Sequence, residues 1–210
     1  MLQNEYLEVL VAVYYLKKEK QDKPVHSGNI AQTLSLSDEE AISKLKYLIE
    51  KGYIKSLGGI LGNEAYVELT SRGIDYIENP YDSLRKDEGL IVSQVNNLSI
   101  SNIGSQGAKI NIIDSSIILR NTLEINNDEQ NKINDKLSQI KEILDKSAES
   151  NENLNQIMEG IKESLEKSDR VVVAQKLSVF QKIISRVKDF QVLLQSTLSV
   201  YEIFKIIFHL

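Results

Sequence analysis

Side chains able to do covalent chemistry are sparse in this chain. It has no cysteine, and its two histidines, His26 and His209, are separated by most of the sequence. There is no HExxH, no GxSxG and no glycine-rich phosphate loop. Metal-assisted hydrolysis, acyl transfer and nucleotide hydrolysis of the P-loop kind therefore have no motif to run on. The reading is a protein that is not an enzyme, with no catalytic residue, no metal and no cofactor. His26 reads as a turn residue or surface contact. The residues that could meet a charged partner are cations. Lys44, Lys46, Lys51, Lys55 and Arg72 lie close enough in the chain to make one edge for phosphate groups. Three consecutive acids, Asp38, Glu39 and Glu40, stand just before them and would repel a polyanion.

Composition sets the frame for these residues. Of 210 residues, 41 % are hydrophobic and 26 % charged, an ordinary globular balance. The formal net charge is -5, which excludes a generally basic nucleic-acid coat. The start, MLQNEYLE, carries two acids and no basic n-region, so no secretion signal is expected. The final VLLQSTLSVYEIFKIIFHL contains Glu202 and Lys205 and would make a poor membrane span. A cytoplasmic protein is expected.

Residues 1–80 show a succession of short elements. NEYLEVLVAVYYLKKEKQ has an apolar stripe of Leu7, Leu10, Val11, Tyr14 and Tyr15 and a lysine-rich end suited to a helix C-terminus. After Pro24, Ser27 is the expected N-cap of a short helix. Ser37 and Glu40 make a capping box for a third, with Ala41, Leu45, Leu48 and Ile49 inward and Gly52 as the stop. The β-prone runs YIKSLGGIL and EAYVEL flank Gly62-Asn63, a hairpin turn signal. TSRGIDYIENP predicts a short helix ending before Pro80.

Helix, helix, helix, hairpin, helix, carried by IAQTLSLSDEEAISKLKYLIEKGYI and VELTSRGIDYIE, resembles the winged helix-turn-helix family of bacterial and archaeal regulators. The resemblance implies a third helix that reads the major groove with positions near Asp38, Glu39, Ser43 and Lys44. Ser43 thereby joins Lys44, Lys46, Lys51, Lys55 and Arg72 as the candidate nucleic-acid contacts. Charge opposes that reading: residues 1–80 hold 9 Lys/Arg and 12 Asp/Glu. Winged helices also serve as protein-docking modules, so DNA and a protein effector both stay open as partners.

From residue 125 the pattern turns helical. Ile133, Leu137, Ile140 and Leu144, and then Leu154, Ile157, Ile161 and Leu165, keep helical spacing on either side of the polar KSAESNEN. A helical hairpin is predicted. Ser168-Asp169 then caps a third helical region that runs to the C-terminus and completes a three-helix bundle. Its apolar surface from Val192 onward looks larger than one protomer needs, which points to self-association. Leu194, Leu198, Tyr201 and Phe208 are the candidate contacts there.

Between the two helical parts, PYDSLRKDEGL reads as a tether and NNLSISNIGSQGAKINIIDSS as short strands. Alternation at Leu98 and Ile100, and again at Ile110 and Ile112, has the period of two. Runs this short cannot bury a core alone, so Leu98, Ile100, Ile103, Ile110, Ile112 and Ile117 are expected to stack with copies from other protomers. The tract and the helices after it, residues 90–210, are similar in composition to an Asn/Gly/Ile tract followed by a helical hairpin in bacterial abortive-infection or effector-associated proteins. That resemblance implies an assembling adaptor or sensor and transfers no site residue.

The expected fold class is α+β, mostly α: a winged helix at 1–80, a linker at 81–95, a short β oligomerisation element at 96–122, and a helical bundle or coiled-coil region at 125–210. The function that follows is a homo-oligomeric, non-enzymatic winged-helix adaptor or sensor in a bacterial regulatory or anti-phage defence system. One alternative is a DNA-binding repressor with a helical dimerisation tail. The other is a membrane-associated effector acting through Val192–Leu210, although a membrane partner is not expected.

Overall fold

The computed structural model describes residues 1–20, 23–61, 64–87, 125–146 and 152–209. The expected β element at 96–122, with Leu98, Ile100, Ile103, Ile110, Ile112 and Ile117, lies outside the described residues, as does the Gly62-Asn63 turn.

The order of elements is α1 (Asn4–Glu19), β1 (Val25–His26), α2 (Ser27–Leu34), α3 (Asp38–Glu50), β2 (Ile54–Leu61), β3 (Glu64–Leu69), α4 (Ser71–Glu78), α5 (Pro80–Asp87), α6 (Asn127–Lys146), α7 (Glu152–Glu166), α8 (Arg170–Ile184) and α9 (Phe190–Phe208). The protein is mostly helical, with one three-stranded antiparallel sheet in the order β1-β3-β2. Register runs from Ile54 opposite Leu69 to Leu61 opposite Glu64 and slips between Leu57 and Ile60. Gly58 sits in that slip at φ 83°, a conformation that costs glycine nothing.

α1 is buried on almost every side. Val9, Ala12 and Val13 are as inaccessible as Leu7 and Leu10, so the expected single stripe is in fact a helix enclosed all round. One side packs on α2, α3 and β3, and another on α9. The core is consequently one continuous cluster running from Leu2 to Ile207.

Four expectations need correction. The first concerns a helix cap. His26, not Ser27, is the N-cap of α2: its Nδ1 accepts from the Gly28 N–H at 3.1 Å. The Ser27 hydroxyl instead accepts from the Ala65 N–H at 3.1 Å and ties α2 to β3. The tether begins differently as well. Pro80 opens α5, where its missing N–H costs nothing, and Tyr81 and Leu84 bury that helix against α4 and α8.

The last helical region is two helices rather than one. α9 starts afresh at Asp189, whose carboxylate accepts from the Gln191 and Val192 N–H groups at 2.9 and 3.1 Å. The bundle thus has four helices in the described residues. α6 packs chiefly on α9 and α7 on α8, so the hairpin helices face other neighbours more than each other. Finally, the apolar face of α9 is used within the protomer: Leu193, Val200, Tyr201, Ile203, Phe204 and Ile207 are all buried.

One end of the bundle is closed by polar contacts. Arg170 donates to Glu129 at 2.9 Å and to the Ile207 carbonyl, and the His209 ring lies beside both side chains. This draws the starts of α6 and α8 to the last turn of α9.

Candidate functional site

α3 is held by the inward residues Ala41, Ile42, Leu45 and Leu48 and started by a complete Ser37–Glu40 capping box. Those anchors decide what the helix can present. Glu39, Ser43, Lys46 and Glu50 are all exposed, and their 4-3-4 spacing puts them on one outward face. That face carries two acids, one hydroxyl and one cation. It is not the basic ridge that a phosphate backbone would require.

The remaining predicted nucleic-acid residues are held by the fold. Lys44 leans back onto α1, where it forms an ion pair with Glu5 and covers the Tyr6 ring at 5.5 Å. Tyr6 in turn stacks on Tyr47 at 4.0 Å. Lys51 reaches over the Tyr47 ring at 5.5 Å. Lys55 and Glu68 stand opposite one another across β2 and β3 and pair at 3.0 Å. The Arg72 guanidinium lies over Tyr53 at 4.6 Å and donates to the Lys51 carbonyl at 2.6 Å, so it closes the end of α3. The structure therefore spreads the six candidates over α3, its C-terminal end, β2 and α4, and does not gather their charges. Ser43 and Lys46 point outward together. Lys44, Lys55 and Arg72 have their charge engaged by an acid, a carbonyl or a ring.

A second exposed feature lies on the sheet. β3 alternates with Ala65, Val67 and Leu69 inward, which turns Glu64, Tyr66 and Glu68 outward. Tyr66 is 53 % exposed, a large value for so big a ring. It stands opposite His26 on one side and Leu57 on the other. The His26 ring meets it edge-on at 4.9 Å. The result is a cross-strand row of His26, Tyr66 and Leu57 flanked by carboxylates. An aromatic body with a polar tip in such a position is the type of residue that anchors protein interfaces. The alternation in EAYVEL was the signal for it.

The candidate oligomerisation residues of α9 are found inside or against the protomer's own core. Tyr201 is buried, stacks on Tyr76 at 5.2 Å and donates its hydroxyl to the Tyr76 carbonyl. Leu194, Leu198 and Phe208 pack half-buried against the same core, and Phe208 stacks on Phe204 at 5.9 Å.

Among the described residues no group of three or more His, Asp or Glu side chains could hold a metal ion. No helix of the described residues is long and apolar enough to cross a membrane. Compared with known proteins, the chain matches no family model, no curated protein and no solved structure.

Proposed function

We propose that the chain is a non-enzymatic adaptor in which residues 1–80 form a winged-helix module that docks on a protein, with the C-terminal helices as its scaffold. The order α1-β1-α2-α3-β2-β3 and the sheet order β1-β3-β2 support the winged-helix reading. The single observation that favours protein over DNA is the outward face of α3. It presents Glu39 and Glu50 against Lys46, while Lys44 and Lys55 are paired with Glu5 and Glu68. A duplex binder needs several cations to displace condensed counterions, and each phosphate neutralised steepens the salt dependence. The exposed Tyr66 row supplies what a protein partner would bury. In this reading self-association rests on the sequence of 96–122, because the apolar face of α9 is already covered.

The test is a titration of fluorescent duplexes of varied sequence at several salt concentrations. The adaptor reading expects no binding whose affinity falls with salt. A log-log slope of about -0.9 per contacted phosphate, flattened by Lys46→Glu, would instead establish the DNA-binding repressor.

A further inference from the structure

α7, α9, α5 and α4 all pack on α8. One face of the helix is left over. Val172, Gln175, Val179 and Lys182 recur on it at a 3-4-3 spacing and form a straight ridge. Val172 is half-buried and the other three are exposed. Val179 is 54 % exposed, and among the described residues it and Tyr66 are the two large hydrophobic side chains left so open. Beside Val179, between α5 and α8, lies a hollow of about 290 Å³. Tyr81 and Asp82 line it from α5, and Gln175, Ser178 and Lys182 from α8.

A single apolar side chain on a surface needs no explanation, but this one stands next to its own complement. A contact between two like copies about a two-fold axis needs one patch that carries both halves of every interaction, because residue i of one copy meets residue j of the other while j meets i. This patch does so twice. Val179 is a knob at the edge of a hollow, and an acid, Asp82, lines that hollow together with a cation, Lys182. With one charge of each sign, the hollow does not select a strongly acidic or strongly basic foreign partner. The spacing agrees, since a 3-4-3 ridge is the seam along which two helices pack at a shallow angle.

We propose that two copies of the chain meet on this face, α8 against α8 in antiparallel sense about a two-fold axis at Val179. Val179 of each copy enters the hollow of the other, and Asp82 of each copy faces Lys182 of the other. The antiparallel sense also sets the positive end of one helix beside the negative end of its mate. One ridge and one hollow make a small interface, below about 1,200 Å² in total, so the dimer is weak, with Kd on the order of 10–100 μM. Self-association thereby gains a surface separate from residues 96–122. The inference does not depend on what the α3 face or Tyr66 meets.

Because the chain has no cysteine, one introduced thiol reports the contact. At the axis two such thiols come within disulfide reach, a Cα–Cα separation under about 7 Å. Val179→Cys in the full chain should give a disulfide-linked dimer under mild oxidation, at least about fivefold more of it than Gln139→Cys, a control exposed on α6. Sedimentation velocity from about 5 to 500 μM should show reversible dimerisation, weakened at least about tenfold by Val179→Glu. Asp82→Lys and Lys182→Asp should each weaken their own dimer, and an equimolar mixture of the two should recover it, because each chain then supplies the sign the other lacks. A monomer at every concentration would overturn the proposal and leave the face to a foreign protein. Equal cross-linking of the two cysteines, self-association indifferent to Val179→Glu, or a mixture that recovers nothing would overturn it as well.

Discussion

A methyl group on Gly73 would have nowhere to go. Its Cβ would lie 2.1 Å from the Tyr53 carbonyl oxygen and 3.1 Å from a Leu69 methyl. Helix propensity alone says that alanine at this α4 position should gain up to about 1 kcal/mol. Overpacking against backbone costs about 1–3 kcal/mol, and here the obstructing atom is not the end of a flexible side chain. Packing should win. Gly73→Ala is expected to destabilise the protein by about 1–2 kcal/mol in urea unfolding, and a gain in stability would show that the α4–β2 approach can relax. Neither spacing nor composition announced this glycine, because its constraint comes from a strand end twenty residues earlier.

At the scale of elements, the N-terminus of α3 joins stability to pH. Glu40 accepts from the backbone N–H and the hydroxyl of Ser37 at 3.0 and 2.9 Å, and Ser37 accepts from the Glu40 N–H at 3.3 Å. The backbone bond first, and the hydroxyl next, hold the Glu40 carboxyl below its ordinary range. A depressed pKa contributes stability above the unfolded value of about 4.3 and loses it as pH falls through the folded one. Ser37→Ala removes the N-cap hydroxyl of α3, which costs about 1 kcal/mol at neutral pH. The gap between wild type and variant should narrow in urea titrations near pH 3, and a gap independent of pH would remove Glu40 from the account. This box was legible because both partners lie within four residues. Other elements were not legible in the same way. His26 and Ser27 are both competent caps, and the choice between them depends on Ala65, whose N–H on β3 engages the Ser27 hydroxyl. The break at Asp189 was hidden because apolar 3/4 spacing continues on both sides of it. The outward Tyr66, by contrast, follows from the alternation of one short strand.

At the scale of the molecule, the boundary near residue 80 that composition suggests is not a boundary in the packing. Tyr76 is the joint. It receives the Leu2 N–H on its hydroxyl at 2.8 Å, meets Tyr53 edge-on at 4.9 Å, and stacks on Tyr201 of α9 at 5.2 Å. Nearby, Asn4 donates to Glu202 at 3.2 Å and accepts from Lys205 at 3.1 Å. Elements from both ends of the chain thus share one apolar interior, which argues for cooperative rather than stepwise unfolding. Tyr201→Ala removes a large ring from that joint and leaves the Tyr76 carbonyl without its donor, a loss of about 3–5 kcal/mol. Native-state hydrogen exchange decides how far the loss spreads. In a single cooperative unit the slowest amides of α3 and of α6 should lose protection by the same free energy, although α3 lies away from the substitution. If α3 kept its wild-type protection while α6 lost its own, the N-terminal unit would be stable by itself. The shared core would then be a contact between two independent folds.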